Sequence, residues 1–358
     1  MKKIFSIALG ILAAIGGFVD IGDIVFNVEA GATFGYQLLW AVVIGVGGIV
    51  TYAEMCGRVA AVSGRAVFDA VRERLGFGVG LVALIAGQLV NLLTLAAEVG
   101  GVALVLQLLS ALSYHALVVL AAVFIFLVLW LMPFEWIERV FGYCGLALLV
   151  FVVSAIKLHP DWGAVAHGFV PDAGTGDHAL YAYFIVGLVG AAMVPYEVYF
   201  YSSGAIEERW KAKDLGVNRA NAVIGYALGG ILSFALMISA GALLLPRGIS
   251  AELLGTVSLV AGAPRFTLAW SVMLVLAFAI IITGVDPILV TELSVFFSVV
   301  ALPLTYIPIL LVANDRAYMG SYANGAVGNV FGIFYVVVVL VIAIAAIPLL
   351  VITNMGQG

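Results

Sequence analysis

Long apolar runs separated by short polar breaks fill this chain. They fall near 4–26, 37–56, 77–109, 116–132, 140–156, 181–203, 221–245, 266–285, 288–313 and 331–352. Each is long enough, or nearly so, to cross about 30 Å of hydrocarbon as a helix. The pattern predicts ten spans, the third long enough to project beyond the bilayer. Composition agrees: of 358 residues, 65% are hydrophobic and only 10% charged, against about 25% charged in soluble domains. The fold class expected is an all-α polytopic membrane protein, multi-pass, with the lipid bilayer as its surroundings. The start, MKKIFSIALGILAAIGG, imitates a secretory signal. The next residues lead straight into another apolar run, so a retained first span is expected.

Charge sets the orientation. Lys2, Lys3, Arg58, Arg65, Arg72, Arg74, Arg139, Arg209, Lys211, Lys213 and Arg219 fall on one side of the predicted bundle, and Lys157 and Arg247 on the other. The positive-inside rule makes the N-terminus cytoplasmic. The Pro/Gly-rich loop after the fifth span divides the chain into a first half at 1–157, an outside linker at 158–180 and a second half at 181–358. His159, His167 and His178 in that linker fit no short metal-ligand spacing. Cys56 and Cys144 lie in apolar runs and read as packing residues. Nothing points to a nucleic-acid partner, and the oligomeric state is open.

Two spans carry their own interruption. The stretch 16–36, GGFVDIGDIVFNVEAGATFGY, places Asp20 and Asp23 around Gly22 inside the first span. A carboxylate at bilayer depth costs roughly 2.5–3.5 kcal/mol on insertion scales unless it faces protein, water or a cation. The sixth span, YFIVGLVGAAMVPYEVYFYSSG, carries Pro195 and then Glu197. Pro195 has no N–H to give the carbonyl of Ala191, which becomes available as a ligand. Two broken helices, each the first of its half, are the pattern of inverted-repeat transporters with a site at the midplane. The reading is a cation site between the breaks.

Other polar residues in the spans are less specific. Asn91, Thr94 and Glu98 share a face of the third span, as a pathway lining or as glue between helices. Glu54 is expected to meet the arginine-rich loop. Asp286-Pro287 and Glu292 read as a turn between the eighth and ninth spans. Asp20 and Asp23 share one segment, which disfavours an aspartyl protease. No glycine-rich nucleotide loop stands out. An enzyme is not expected.

These residues carry a resemblance. Asp20-Ile21-Gly22-Asp23 occupies the first-helix motif Asp-Pro-Gly-Asn of the NRAMP divalent metal-ion transporters, and NVEAGATFGYQLLW at 27–40 is similar to the family's next segment, N-x-x-A-G-A-x-x-G-Y-x-L-L-W. Ala191-Ala192-Met193-Val194-Pro195-Tyr196-Glu197 resembles the sixth-helix motif Ala-x-x-Met-Pro-His-Asn. Leu302-Pro303, NDRAYMG at 314–320, Pro160-Asp161-Trp162 and Gly168-Phe169-Val170-Pro171 resemble further family segments. The chain resembles the NRAMP-related branch of that family. The resemblance implies a LeuT-like inverted-repeat bundle with helices 1 and 6 broken. It also implies Asp20, Asp23, Ala191 and Glu197 as metal residues, with Gly22, Val194, Pro195, Tyr196 and Ala301 lining the site.

The departures bear on the substrate. Val194 stands where the family's thioether ligand would be, and Met193 reaches the site only if the register slips. Tyr196 replaces a His, Glu197 an Asn, and Ala301 a tenth-helix Gln. A soft ligand and an imidazole are gone, and carboxylates are gained. The segment ISAELLGTVSLVAGAP at 249–264 leads from the seventh span directly to one resembling the family's ninth. The family's eighth helix is therefore expected to be absent, which would place Arg265 outside and invert everything after it. The leading expectation is a secondary transporter or facilitator bringing Mg2+ or Mn2+ inward by alternating access in a prokaryotic plasma membrane. The ion is cargo, and no cofactor is expected. The alternatives are a Na+- or H+-coupled amino-acid symporter of the same fold, or a non-transporting, truncated homologue.

Overall fold

Aspartates start many of the helices, their side chains accepting the first free N–H groups. Asp20, Asp161, Asp177, Asp286 and Asp315 all serve this way. The computed structural model describes residues 18–110, 112–132, 136, 140, 146–174, 176–249 and 267–356. The protein is all-α among these residues. In chain order the helices are α1 (Ile21–Phe34), α2 (Leu39–Ser63), α3 (Val67–Leu75), α4 (Phe77–Leu109), α5 (Tyr114–Leu131), α6 (Leu149–Lys157) and α7 (Trp162–His167). They continue as α8 (His178–Ala192), α9 (Pro195–Glu207), α10 (Leu215–Ala220), α11 (Tyr226–Leu243), α12 (Thr267–Ile281), α13 (Pro287–Asn314), α14 (Arg316–Met319) and α15 (Ala326–Ile352). A π turn at Asn221–Gly225 joins α10 to α11. Seven segments of the described chain are long and apolar enough to cross a membrane.

The described chain departs from helical geometry at both expected places. The chain leaves helical geometry at Val19 and Asp20 before α1 begins, with Asp20 at φ −92° and ψ −177°. It leaves it again at Met193 and Val194, between α8 and α9. Pro195 opens α9 at the position where a missing N–H costs nothing. Around the breaks, α1 packs on α11 and α8, α2 on α9 and α8, and α13 on α4, α15 and α8.

The two ends of the bundle are fixed by contacts. Arg74, just before α4, pairs with Asp315 at the end of α13. Arg58 in α2 donates to the Tyr322 carbonyl at 2.7 Å and to Asn324 Oδ1 at 2.6 Å. The end of α13 and the start of α15 therefore lie at the arginine-rich end. At the opposite end the Trp40 N–H donates to the Gly168 carbonyl at 2.9 Å, tying the linker to the α1–α2 turn.

Three expectations need correction. The chain after the seventh span is not inverted: Asp315 and Asn324 meet Arg74 and Arg58 at the same end. Salt-bridge and amide chemistry hold them there, and Arg316 adds to that end's positive charge. Glu292 is not in a turn. Asp286 caps α13 through the Ile288 N–H at 2.9 Å, and Glu292 lies buried inside that helix. Arg58 is not in a loop, because α2 runs on to Ser63, and Arg58 pairs with Glu54 one turn earlier at 3.1 Å. The start of the first span, Arg139, Cys144 and the segment of the missing eighth helix, including Arg265, lie outside the described residues. Beside α4, α12 and α13 cover much of the helix, while Phe77, Val82, Ile85 and Leu89 are exposed. The linker holds a short helix, α7, and its histidines do not converge.

Candidate ion site

The site is built at the two breaks. Asp20 Oδ1 accepts the Asp23 N–H at 2.9 Å, the capping bond that starts α1. Its Oδ2 accepts the Tyr196 hydroxyl from the first turn of α9. One carboxylate thus joins the two interrupted helices. Gly22 makes room for this: a Cβ there would run into Val295 and the Asp20 carboxylate.

Asp23 faces the other way and is 1% exposed. Its Oδ1 accepts Asn27 Nδ2 at 2.9 Å and its Oδ2 accepts the Ser233 hydroxyl of α11 at 2.7 Å. Both oxygens are occupied, and the group ties α1 to α11. Hydrogen bonds to a charged acceptor are worth about 1.5–3 kcal/mol, so this carboxylate is held firmly.

Glu197 presents the opposite situation. It is 4% exposed, and neither carboxylate oxygen has a hydrogen-bond partner. It lies within reach of the charges on Asp20 and Asp23. A buried carboxylate with both oxygens bare and like charges beside it is costly unless a cation joins it. Asp20 and Glu197 sit at helix N-termini, whose positive ends favour anionic groups. Ala191 and Ala192 bring the carbonyl end of α8 to the same place, and Pro195 leaves the Ala191 carbonyl without its helical donor.

Sulfur is absent from this arrangement. Met193 is fully buried, and its thioether lies against Gly48 of α2, where any Cβ would collide with it. Its carbonyl accepts the Tyr306 hydroxyl at 2.9 Å. Val194, extended at φ −59° and ψ 138°, takes the turn itself. Among the described residues no three His, Cys, Asp or Glu side chains converge as a ready-made metal cage. Ser233 and Asn27 engage both oxygens of Asp23, which leaves Asp20 and Glu197 as the candidate pair.

Glu98 of α4 lies within electrostatic reach of Asp20 and Tyr196. Thr94, one turn before it, is bound to Ser294 of α13 at 2.7 Å, which makes that hydroxyl a link between helices. Asn91 is half-buried a turn further back, and Ala301, buried in α13, offers only a methyl group. Toward the linker end, Phe26, Tyr183 and Phe296 are buried together, with Tyr183 stacked on Phe296 at 4.6 Å between centroids. This aromatic layer packs α1, α8 and α13 together. Ser233, Asn27 and the aromatic layer were not picked out from sequence. Asn27 carried a signal, one helical turn after Asp23, whereas a lone serine in an apolar run carries none.

The sequence profile of the Nramp family, natural resistance-associated macrophage protein-like, matches residues 10–258 and 249–348. The chain belongs to the Nramp family. The two matched stretches meet in the segment expected to lack the eighth helix. Among Nramp relatives, a protein named divalent metal cation transporter MntH from Agrobacterium fabrum is 29% identical over 240 residues, covering 66% of this chain and 52% of that protein. The chain thus spans about half the length of that relative. MntH from Deinococcus radiodurans is 28% identical over 369 residues, covering 88% of this chain and 83% of its own. The fold is that of the manganese transporter of Eremococcus coleocola, with a TM-score of 0.73 at 19% identity over 98% of this chain and 94% of that one. This Nramp chain is accordingly an all-α membrane protein with the fold of that transporter. An enzyme reading finds no counterpart among these relatives, which are named as transporters.

Proposed function

We propose that this chain is a secondary transporter or facilitator for a hard divalent cation, Mg2+ or Mn2+, moved inward by alternating access. The observation that carries the reading is the Glu197 carboxylate, buried with two bare oxygens beside Asp20. Asp20, Glu197 and the Ala191 carbonyl hold the ion, and Asp23 adds charge from its seat on Ser233. Mg2+ keeps several waters and is usually held by one or two carboxylates, which suits a pair better than a cage. Carboxylate, carbonyl and water suit Mg2+ and Mn2+, whereas thioether sulfur favours soft ions. Here the thioether points at Gly48. The relatives' names, divalent metal cation transporter and manganese transporter, support the ion class.

In the cycle, the ion displaces the Tyr196 hydroxyl from Asp20 and draws the two broken helices together. The aromatic layer around Phe26 opens toward the outside in one state and closes in the other. The arginine-rich end is the cytoplasmic one, in a prokaryotic plasma membrane. Tyr196 has no proton to exchange near neutral pH, unlike an imidazole, so proton coupling through this position is weak or absent, and Glu197, crowded by the charges of Asp20 and Asp23, is the one group here that could carry a proton instead. Isothermal titration tests the site. Mg2+ and Mn2+ bind the wild type and fail to bind Asp20→Ala, and unchanged affinity in that variant would remove the site from this place.

A further inference from the structure

The turn after α9 holds an open pocket lined by Arg209, Trp210, Lys211, Lys213 and Val217, with Glu208 and Asp214 at its edge. The two carboxylates are engaged locally: Glu208 accepts Trp210 Nε1 at 2.7 Å, and Asp214 accepts the Lys211 backbone N–H at 3.2 Å. Three exposed basic groups against two locally engaged carboxylates leave the pocket net positive. Arg209 is held at φ 58°, a left-handed conformation unusual for a residue with a Cβ.

A second observation extends the pocket. Val217, in its wall, starts a stripe that continues as Val223, Ile224, Leu228 and Ile231 along the π turn and α11. Those four residues are 39–46% exposed. Their spacing keeps them on one helix face. A cationic pocket at the membrane surface, with an indole beside it and an apolar track leading into the bilayer, matches a two-part ligand. Tryptophan favours the interface, and clustered lysine and arginine attract anionic lipid.

We propose that this pocket binds the phosphate of an anionic phospholipid headgroup, with an acyl chain lying along Val223, Ile224, Leu228 and Ile231. The lipid seats at the joint between α9, which carries Tyr196 and Glu197, and α11, which carries Ser233. The inference does not depend on which ion is carried.

Native mass spectrometry of the detergent-purified protein tests it, with dioleoyl phosphatidylglycerol, dioleoyl phosphatidylcholine and inorganic phosphate as probes. Phosphatidylglycerol is retained in preference to phosphatidylcholine, and inorganic phosphate does not compete at equal concentration. The double variant Lys211→Gln with Lys213→Gln weakens phosphatidylglycerol about thirtyfold, the loss expected for two basic groups near a headgroup. Arg209→Gln weakens it independently, and phosphatidylcholine binding is unchanged in all variants. These side chains are exposed, so the variants keep the wild-type melting temperature in detergent alone. Equal retention of both lipids, wild-type retention by the double variant, or displacement by inorganic phosphate would each overturn the assignment.

Discussion

Replacing Glu197 by Gln separates an ion-binding role from a structural one. In the ion-free protein this carboxylate is buried without a hydrogen bond and faces the charges of Asp20 and Asp23. A buried carboxylate with no counter-charge takes up a proton rather than carry the full cost of a bare charge. Gln resembles that neutral form and leaves an amide to satisfy in place of a carboxylic acid. The ion-free variant should therefore match the wild type in stability to within about 1 kcal/mol. The two differ on the ion side. A dication about 4 Å from a unit charge is attracted by about 8 kcal/mol at an effective dielectric near 20. Desolvation offsets most of it, so we set the net loss at about 2.7 kcal/mol, a hundredfold in affinity. Thermal unfolding in EDTA and in a Mg2+ series reads both quantities. The expected result is a nearly unchanged melting temperature without ion and a protection curve displaced about a hundredfold. A lower ion-free melting temperature with unchanged protection would make Glu197 a structural residue and refute the reasoning.

The same contacts give five further expected outcomes. Ser233→Ala leaves one Asp23 oxygen bare and should lower stability by about 1.5–3 kcal/mol, read by thermal unfolding, while Mg2+ binding persists. Asp23→Asn should weaken divalent binding without abolishing it, and Glu98→Gln should leave equilibrium affinity within a few-fold; titration calorimetry reads both. Val194→Met should raise Cd2+ affinity relative to Mg2+ by adding a thioether at the break, and no gain in Cd2+ binding would argue against an ion at Val194. Arg74 holds the Asp315 carboxyl below its usual range, so the link stabilises the protein above the ordinary Asp pKa and is lost as pH falls through the depressed one. The stability difference between wild type and Asp315→Asn should be present at neutral pH, begin to shrink near pH 4 and vanish once the pH lies below the depressed Asp315 value.

Much of the architecture was legible because membrane burial leaves a coarse signature. Apolar runs of span length gave the helices, and Asp20-Ile21-Gly22-Asp23 and Pro195 gave the breaks through local backbone chemistry. The features that stayed hidden depend on distant partners. Asp23 reads from sequence as a ligand equal to Asp20, and only the packing of α11 shows Ser233 occupying it. Met193 is one residue from the ligand position, and its direction is set by Gly48, far away in sequence. Glu292 sits near Asp286-Pro287, so turn chemistry masked the long helix beginning there. The orientation of the last helices failed for a related reason. Counting spans propagates any change through the rest of the chain, whereas Arg74–Asp315 and Arg58–Asn324 fix the ends directly.

Transport of the ion itself is the most direct test. Purified protein in liposomes, with a Mg2+ indicator and a pH indicator inside, is exposed to external Mg2+, Mn2+ or Cd2+. The expected result is Mg2+ and Mn2+ entry that is lost in Asp20→Ala, no preference for Cd2+, and no matching acidification of the lumen. Strong Cd2+ preference with stoichiometric proton entry, or Mg2+ entry undiminished in Asp20→Ala, would contradict the assignment of a hard-cation site at the two breaks.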